Sequence, residues 1–257
     1  MYSDNSKEYN STIKNGRTEK PAEGGKESMA FYISQVVHRD DYKTTDWSGG
    51  KTTEIGIAPK GSEYADRDFL WRLSSATVDV EESEFTSLPD YNRIIMTLSG
   101  DISLSHNGER MIDLPEFTPH RFDGGDKTVS IGKVTDFNLM LRKGVCEGTV
   151  VPLRMQPGES VDLFSMLVQD VPAPDEVMVY CYRGKLTVKD EDDKEHRIEC
   201  GDTLRLSGNF RETSWQASAA ESTLAVAAAV HYIPRSEEEA EAQVKKDMEA
   251  LKKKMEQ

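Results

Sequence analysis

The alternation of apolar and polar residues along the chain predicts many short β-strands. The segments 129–134, 136–142, 177–190 and 223–233 are rich in β-branched or aromatic residues, and Gly, Asp or Pro residues bound them. Convincing helical periodicity occurs only near the C-terminus. Many evenly spaced strands without intervening helices are typical of a sandwich or a barrel.

Two parts of this pattern resemble each other. Segments 93–117 and 177–206 both alternate strand-like runs with glycine-containing turns, and Asn107-Gly108 is typical of a type I′ hairpin. We therefore predict an all-β, duplicated fold that resembles a bicupin, a double barrel of RmlC-like jelly rolls. The first cupin-like unit is predicted over residues 29–150 and the second over 151–233.

The two ends of the chain differ from this β region. Residues 1–28 are almost without apolar side chains, which predicts a disordered tail. Residues 234–257 are predicted to form a charged C-terminal helix with Ser236 as its N-cap. This helix would pack on its own barrel or, alternatively, dimerise the chain as a short coil. Its apolar stripe consists of Val244, Met248, Leu251 and Met255.

Charge and composition exclude several classes of function. The 257 residues carry a net charge of −14, which disfavours a nucleic-acid partner because acidic surfaces repel phosphate backbones. No apolar run is long enough to cross a membrane, and residues 1–25 lack the apolar core of a secretory signal. We therefore expect a cytoplasmic protein that does not interact with membranes.

The sequence offers few residues for metal binding or nucleophilic catalysis. Its three cysteines include no Cys-x-x-Cys pair, and its five histidines include no His-x-His motif, so we expect no disulfide framework, metal or cofactor. Residues 49–52 look like the end of a phosphate-binding loop, but position 45 is Thr where that motif requires Gly. Because no nucleophile and base are paired in the sequence, a catalytic role is not favoured.

Polar residues that alternate with apolar residues inside strands are the best candidates for a site. In segment 136–142, Asp136, Asn138 and Arg142 share the face opposite Phe137, and in segment 69–76 Arg72 alternates with its apolar neighbours. These polar faces would be either solvated outer faces or the lining of a barrel cavity. In the second case, three arginines would converge on an anion, since the guanidinium group suits carboxylates. These arginines are Arg72, Arg93 and Arg142.

Four motifs, in order, resemble the HutD/Ves family. They are WSGGKTTEI (47–55), FLWRLSSATV (69–78), FTSLPDYNR (85–93) and DFNLMLRKG (136–144). The resemblance covers residues 33–233 and favours the cavity interpretation. It implies a bicupin-type fold, an association with histidine utilisation, and binding of a small acidic metabolite such as N-formylglutamate.

The resemblance also implies the ligand-binding residues and their roles. Arginines would clamp the anion, tryptophans would form apolar walls, neutral side chains would orient the ligand, and glycines would let backbone N–H groups approach it. Glu54 and Asp136 would orient the arginines; alternatively, they would act as acid and base in a cupin-type enzyme for the same metabolite. In the order of the four roles given first, the residues are Arg72, Arg93 and Arg142; Trp47 and Trp71; Thr52, Ser74 and Asn138; and Gly49 and Gly50.

Overall fold

The computed structural model describes residues 12–13, 31–171, 174–209, 213–234 and 245. The predicted disordered tail over 1–28 lies outside this part of the chain apart from residues 12–13. The predicted helix over 234–257 also lies outside it, apart from Pro234 and Lys245.

Short strands make up most of the described residues. The first half contains β1 (Thr12–Ile13), β2 (Phe31–Val37), β3 (Lys43–Trp47), β4 (Gly50–Ala58), β5 (Trp71–Val78), β6 (Glu82–Glu84), β7 (Tyr91–Ser99), β8 (Ile102–His106), β9 (Ile112–Leu114), β10 (His120–Asp123), β11 (Thr128–Ile131) and β12 (Val134–Arg142). The second half contains β13 (Cys146–Met155), β14 (Ser160–Asp162), α1 (Leu163–Leu167), β15 (Glu176–Arg183), β16 (Leu186–Lys189), β17 (Glu195–Ile198), β18 (Thr203–Asn209), β19 (Gln216–Ser218) and β20 (Thr223–Tyr232). Two short 3-10 helices lie at Arg39–Asp41 and Tyr64–Asp66.

These strands form two antiparallel barrels, each made of a six-stranded and a four-stranded sheet. In the first barrel, the sheet β10-β7-β12-β5-β4-β3 faces the sheet β6-β11-β8-β9. In the second barrel, the sheet β1-β2-β18-β15-β20-β13 faces the sheet β14-β19-β16-β17. This arrangement confirms the predicted all-β, cupin-like fold.

The N-terminal strand β2 does not pair within the first barrel. It lies antiparallel to β18, with Ser34 opposite Leu206, and so completes the large sheet of the second barrel. The strand therefore comes from the range predicted for the first unit but pairs with a strand of the second. The proposed unit boundaries stay a prediction.

The two large sheets pack against each other, and this contact explains the alternation in the sequence. Trp71, Leu73, Phe137 and Leu139 point from the first barrel into a cluster that also contains Met178 of the second barrel. The next residue along each strand points the opposite way, into the interior of its own barrel, because successive side chains in a strand alternate between faces.

Strand β20 shows why small residues are needed in the centre of this assembly. Ala225 and Ala227 point into the core of the second barrel, whereas Val226 and Ala228 point into the contact between the barrels. The strand is buried on both faces, so its side chains must fit between two packed layers. This explains the alanine-rich sequence of 223–232.

The hairpin predicted at Asn107-Gly108 is present. Asn107 has φ 55° and Gly108 has φ 77°, the positive values that a type I′ turn requires at both central residues. The turn leads from β8 towards β9, and these strands pair with Ile102 opposite Leu114.

Truncating Phe137 tests the contact between the barrels. Its side chain is fully buried, and its ring centroid lies 5.8 Å from that of Tyr180 in the second barrel. We expect Phe137→Ala to lower the free energy of unfolding by about 3–5 kcal/mol in urea titrations. Ile131→Ala, at an exposed position of β11, is the control and should change it by less than about 0.5 kcal/mol. Equal effects of the two substitutions would contradict the packing described here.

Candidate ligand-binding site

The interior of the first barrel contains a cavity of about 260 Å³. Its walls come from β3, β4, β5, β7 and β12, together with the segment 83–86 and the 3-10 helix at 64–66. The lining residues are Thr45, Trp47, Thr52, Tyr64, Arg72, Ser74, Ala76, Val78, Ser83, Glu84, Phe85, Thr86, Arg93, Asp136, Asn138 and Met140. The cavity thus combines two arginines with two carboxyl groups, of Glu84 and Asp136, and several neutral polar groups.

Arg72 is held in place by its neighbours. Its Nε donates to Glu54 Oε2 at 2.8 Å, and its Nη1 donates to Ser74 Oγ at 3.0 Å. Glu54 reaches Arg72 from the adjacent strand β4, where the pairing with β5 shifts register between Glu54 and Gly56. The carboxylate compensates the charge of this buried arginine, and the role of Glu54 towards a ligand stays a prediction.

Arg93 has no comparable partner among the described residues. Its side chain is almost completely buried, and its Nε lacks a hydrogen-bond acceptor among the described residues. The guanidinium carbon lies 4.7 Å from the ring centroid of Phe85 and 5.1 Å from that of Phe122. Burial lowers the pKa of Arg93 to about 10, against the opposing influence of Tyr64 and Asp136. The group is still a cation at neutral pH and forms no ion pair with any described residue, although the charge of Asp136 in the same cavity stabilises it.

Asp136 is the buried acid of the cavity. Burial raises the pKa of its carboxyl group to about 6, although a hydrogen bond from Ala76 and the charges of Arg93 and Arg72 oppose the shift. The backbone N–H of Ala76 donates to Oδ1 at 3.1 Å. The carboxyl group therefore changes its charge just below neutral pH.

Asn138 adds a second unpaired polar group. Its Oδ1 is buried in the cavity wall and accepts no hydrogen bond from a described residue. Most buried polar groups in proteins are hydrogen-bonded, and an unpaired one costs about 1–3 kcal/mol. An unpaired donor on Arg93 and an unpaired acceptor on Asn138, in one cavity, are suited to a polar ligand.

The hairpin between β3 and β4 forms the rim of the cavity. Trp47 is 39% exposed and packs against Gly49, where a Cβ atom would lie 2.2 Å from the indole ring. Gly50 has φ 152°, and a Cβ atom there would lie 1.9 Å from the carbonyl oxygen of Thr77. The two glycines thus permit close packing of the hairpin. Neither glycine lines the cavity, in contrast to the expectation that their N–H groups face a ligand.

Trp71 and Arg142 also lie away from the cavity. Trp71 points into the contact between the barrels, opposite to Arg72, and its indole N–H donates to Tyr232 Oη at 3.0 Å. Arg142, at the end of β12, donates to the carbonyl oxygens of Arg67 and Phe69. The predicted convergence of three arginines is therefore limited to Arg72 and Arg93, and Trp71 cannot be a cavity wall.

The structure adds residues that the sequence did not reveal. Tyr64 lines the cavity, and its ring centroid lies 4.4 Å from the guanidinium carbon of Arg72. Phe85 begins one of the four motifs but was not assigned a role from it, and Phe122 lies in no motif. Their positions depend on how loops and small strands meet around Arg93, which residue spacing does not encode.

The described residues include no group of three or more His, Cys, Asp or Glu side chains able to hold a metal ion. His106 and His120 do meet, with their Nε2 atoms 2.9 Å apart and their ring planes inclined by 15°. Their ring centroids are 5.1 Å apart. The two rings therefore lie edge to edge, with one Nε2 directed at the other, as in an N–H···N hydrogen bond. None of the described helices is long and apolar enough to span a membrane.

The fold and the cavity define a cupin-like double barrel with a buried arginine in the pocket of its first barrel. The profile of the HutD family matches residues 39–225, and the chain therefore belongs to the HutD family. A comparison with curated protein sequences gives no match.

Solved structures with the same fold include a conserved protein of unknown function, PA5104 from Pseudomonas aeruginosa PAO1. It is 21% identical over 77% of this chain and 98% of its own, with a TM-score of 0.66. HutD from Pseudomonas fluorescens SBW25, in a formate condition, is 20% identical over 78% of this chain and 99% of its own, with a TM-score of 0.58. The bacterial pirin YhhW from Escherichia coli, in complex with nickel(II), is 8% identical over 76% and 98%, with a TM-score of 0.52.

Replacing Arg93 tests whether its buried charge is unfavourable for folding. At pH 5, where Asp136 is mostly protonated, we expect Arg93→Met to raise the free energy of unfolding by about 1 kcal/mol or more. The exposed Arg121 on β10 provides the matched control, Arg121→Met, which should have little effect. A loss of stability greater than about 1 kcal/mol in Arg93→Met would show that the charge is compensated.

Proposed function

We propose that this protein is a HutD-like binding protein that takes a small acidic metabolite, similar to N-formylglutamate, into the cavity of its first barrel. Binding would modulate histidine utilisation in the cytoplasm. The observation that carries the proposal is the buried Arg93 cation, which faces the cavity without a hydrogen-bonding or ion-pairing partner among the described residues.

The chemistry of the arginines supports a carboxylate ligand. A guanidinium group offers several donors in one plane, which match the two oxygens of a carboxylate. An anion bound at Arg93 would give this buried charge a direct partner, which none of the described residues supplies. The HutD from Pseudomonas fluorescens was solved in a formate condition, and formate is the simplest carboxylate.

The other cavity residues would supply orientation. Asn138 has an unpaired amide oxygen for a donor on the ligand, and Thr52 and Ser74 place hydroxyl groups in the cavity wall. Trp47 provides an apolar surface at the rim. The volume of about 260 Å³ lies just below the range of about 300–1,000 Å³ for drug-sized ligands, which favours a small metabolite.

An enzyme that acts on the same class of carboxylate is the second candidate. The raised pKa of Asp136, about 6, is the observation that favours it, because such a group exchanges protons near neutral pH. Glu54 is engaged with Arg72 and is less suited to proton transfer. Product formation that Asp136→Asn abolishes without loss of binding would establish this second function.

Calorimetric and thermal-shift titrations of the whole chain test the binding function. The probes are N-formyl-L-glutamate, L-glutamate, formate and urocanate at matched ionic strength. A ligand that binds only the native state stabilises it by about 2.7 kcal/mol at a hundredfold excess over Kd, so saturable stabilisation is expected for at least one acid. Arg93→Met should lose at least about tenfold in affinity, whereas Arg121→Met should bind like the wild type. If none of the acids binds, or if both variants bind normally, the proposal is wrong.

The pH dependence of binding tests the contribution of Asp136. The carboxyl group is neutral below its pKa of about 6 and carries a negative charge above it, where it repels a bound anion. We therefore expect the affinity for the anion to fall as the pH rises from 5 to 8, by at most tenfold per pH unit. Asp136→Asn keeps the shape without the charge and should give a nearly flat profile. A wild-type profile as flat as that of the variant would contradict this role.

A further inference from the structure

Arg142 binds the backbone of the loop that precedes β5. Its Nε donates to the carbonyl oxygen of Phe69 at 2.9 Å, and its Nη2 donates to the carbonyl oxygen of Arg67 at 2.8 Å. The same Nη2 donates to Tyr91 Oη at 2.8 Å, and this hydroxyl group lies 2.9 Å from both carbonyl oxygens. The loop is therefore fixed at two carbonyl groups by one guanidinium group and one hydroxyl group.

This loop has a backbone conformation that needs support. Arg67 ends the 3-10 helix at 64–66 in the left-handed region, with φ 58°, which residues other than glycine rarely adopt. Its carbonyl group is one of the two that Arg142 holds. The hydrogen bonds from Arg142 thus stabilise a backbone conformation that is unfavourable by itself.

Tyr64, the first residue of this 3-10 helix, contacts side chains that flank the turn. The guanidinium carbon of Arg67 lies 3.7 Å from the ring centroid of Tyr64, and that of Arg72 lies 4.4 Å from the same centroid. Tyr64 also lines the cavity beside Arg72. A continuous set of contacts therefore runs from Arg142, through the backbone and side chain of Arg67, to an aromatic ring of the binding site.

We propose that Arg142 is a positioning residue for the anion site: it fixes the turn at Arg67, and the turn holds Tyr64 against Arg72. The inference rests on the proposed binding function for its effect on affinity. Its structural part, the control of Tyr64 by Arg142, does not require a ligand. Arg142 itself does not touch the anion.

Fluorine NMR of the whole chain, labelled with 3-fluorotyrosine, tests the structural part. The chain has nine tyrosines, and Tyr64→Phe identifies the resonance of Tyr64 by its loss. Arg142→Gln is expected to shift or broaden this resonance, Tyr91→Phe to do so less, and Arg121→Gln to leave it unchanged. If Arg142→Gln unfolds the chain, Arg142→Lys takes its place, because lysine cannot hold both carbonyl groups in one plane. An unchanged Tyr64 resonance in the folded Arg142 variant overturns the proposal.

A double-mutant cycle tests the effect on binding, with N-formyl-L-glutamate and formate as probes. Arg142→Gln and Tyr64→Leu should each weaken binding by about tenfold, and the double variant by no more than Tyr64→Leu alone, because Arg142 acts through Tyr64. Losses that multiply in the double variant would show independent roles and overturn the proposal. If the wild type binds neither probe, the cycle is run with the acid that stabilises the chain most. If no acid binds, the proposed function fails, while the fluorine signal still decides whether Arg142 positions Tyr64.

Discussion

The central strands of the large sheet in the first barrel, β5, β7 and β12, are largely buried on both faces, and this constraint determines where most of the candidate residues in them lie. On one face, Trp71, Leu73, Phe137 and Leu139 pack against the second barrel. On the other face, the intervening residues surround a cavity. Because the side-chain period of a strand is two, a residue cannot serve both faces, and a shift of one residue would place the apolar set in the cavity.

The contact between the barrels thereby supports a cavity that is itself unfavourable for folding. Apolar burial stabilises a domain by about 25 cal/mol per Å², whereas an unpaired buried polar group costs about 1–3 kcal/mol. Arg93 and Asn138 both contribute such groups. Arg72 does not, since Glu54 and Ser74 satisfy it. Of the two arginines in the cavity, Arg72 is therefore satisfied by neighbouring side chains, whereas the Nε of Arg93 has no acceptor among the described residues.

Much of the fold was predictable, because it depends on local patterns. Alternation in 136–142 placed Phe137 and Asn138 on opposite faces, and Asn107-Gly108 formed the expected turn. The pairing of β2 with β18 was not predictable, since strand order depends on contacts far apart in the sequence. By the alternation, Arg142 belongs to the same face of β12 as Asn138. It lies at the end of the strand, however, and contacts a loop instead of the cavity. Tyr64 was missed because its position depends on that loop and on no periodic pattern.

The central claim is that the guanidinium group of Arg93 binds the acid, and nitrogen-15 NMR of the arginine Nε–H groups measures this most directly. Arg93→Met identifies the signal of Arg93 by its absence. On titration with N-formyl-L-glutamate, or with the acid that gives the strongest response, we predict a saturable shift of the Arg93 Nε–H signal at the Kd measured by calorimetry. The signal of the exposed Arg121 should stay unchanged. An acid that binds saturably but leaves the Arg93 signal unchanged would contradict the account.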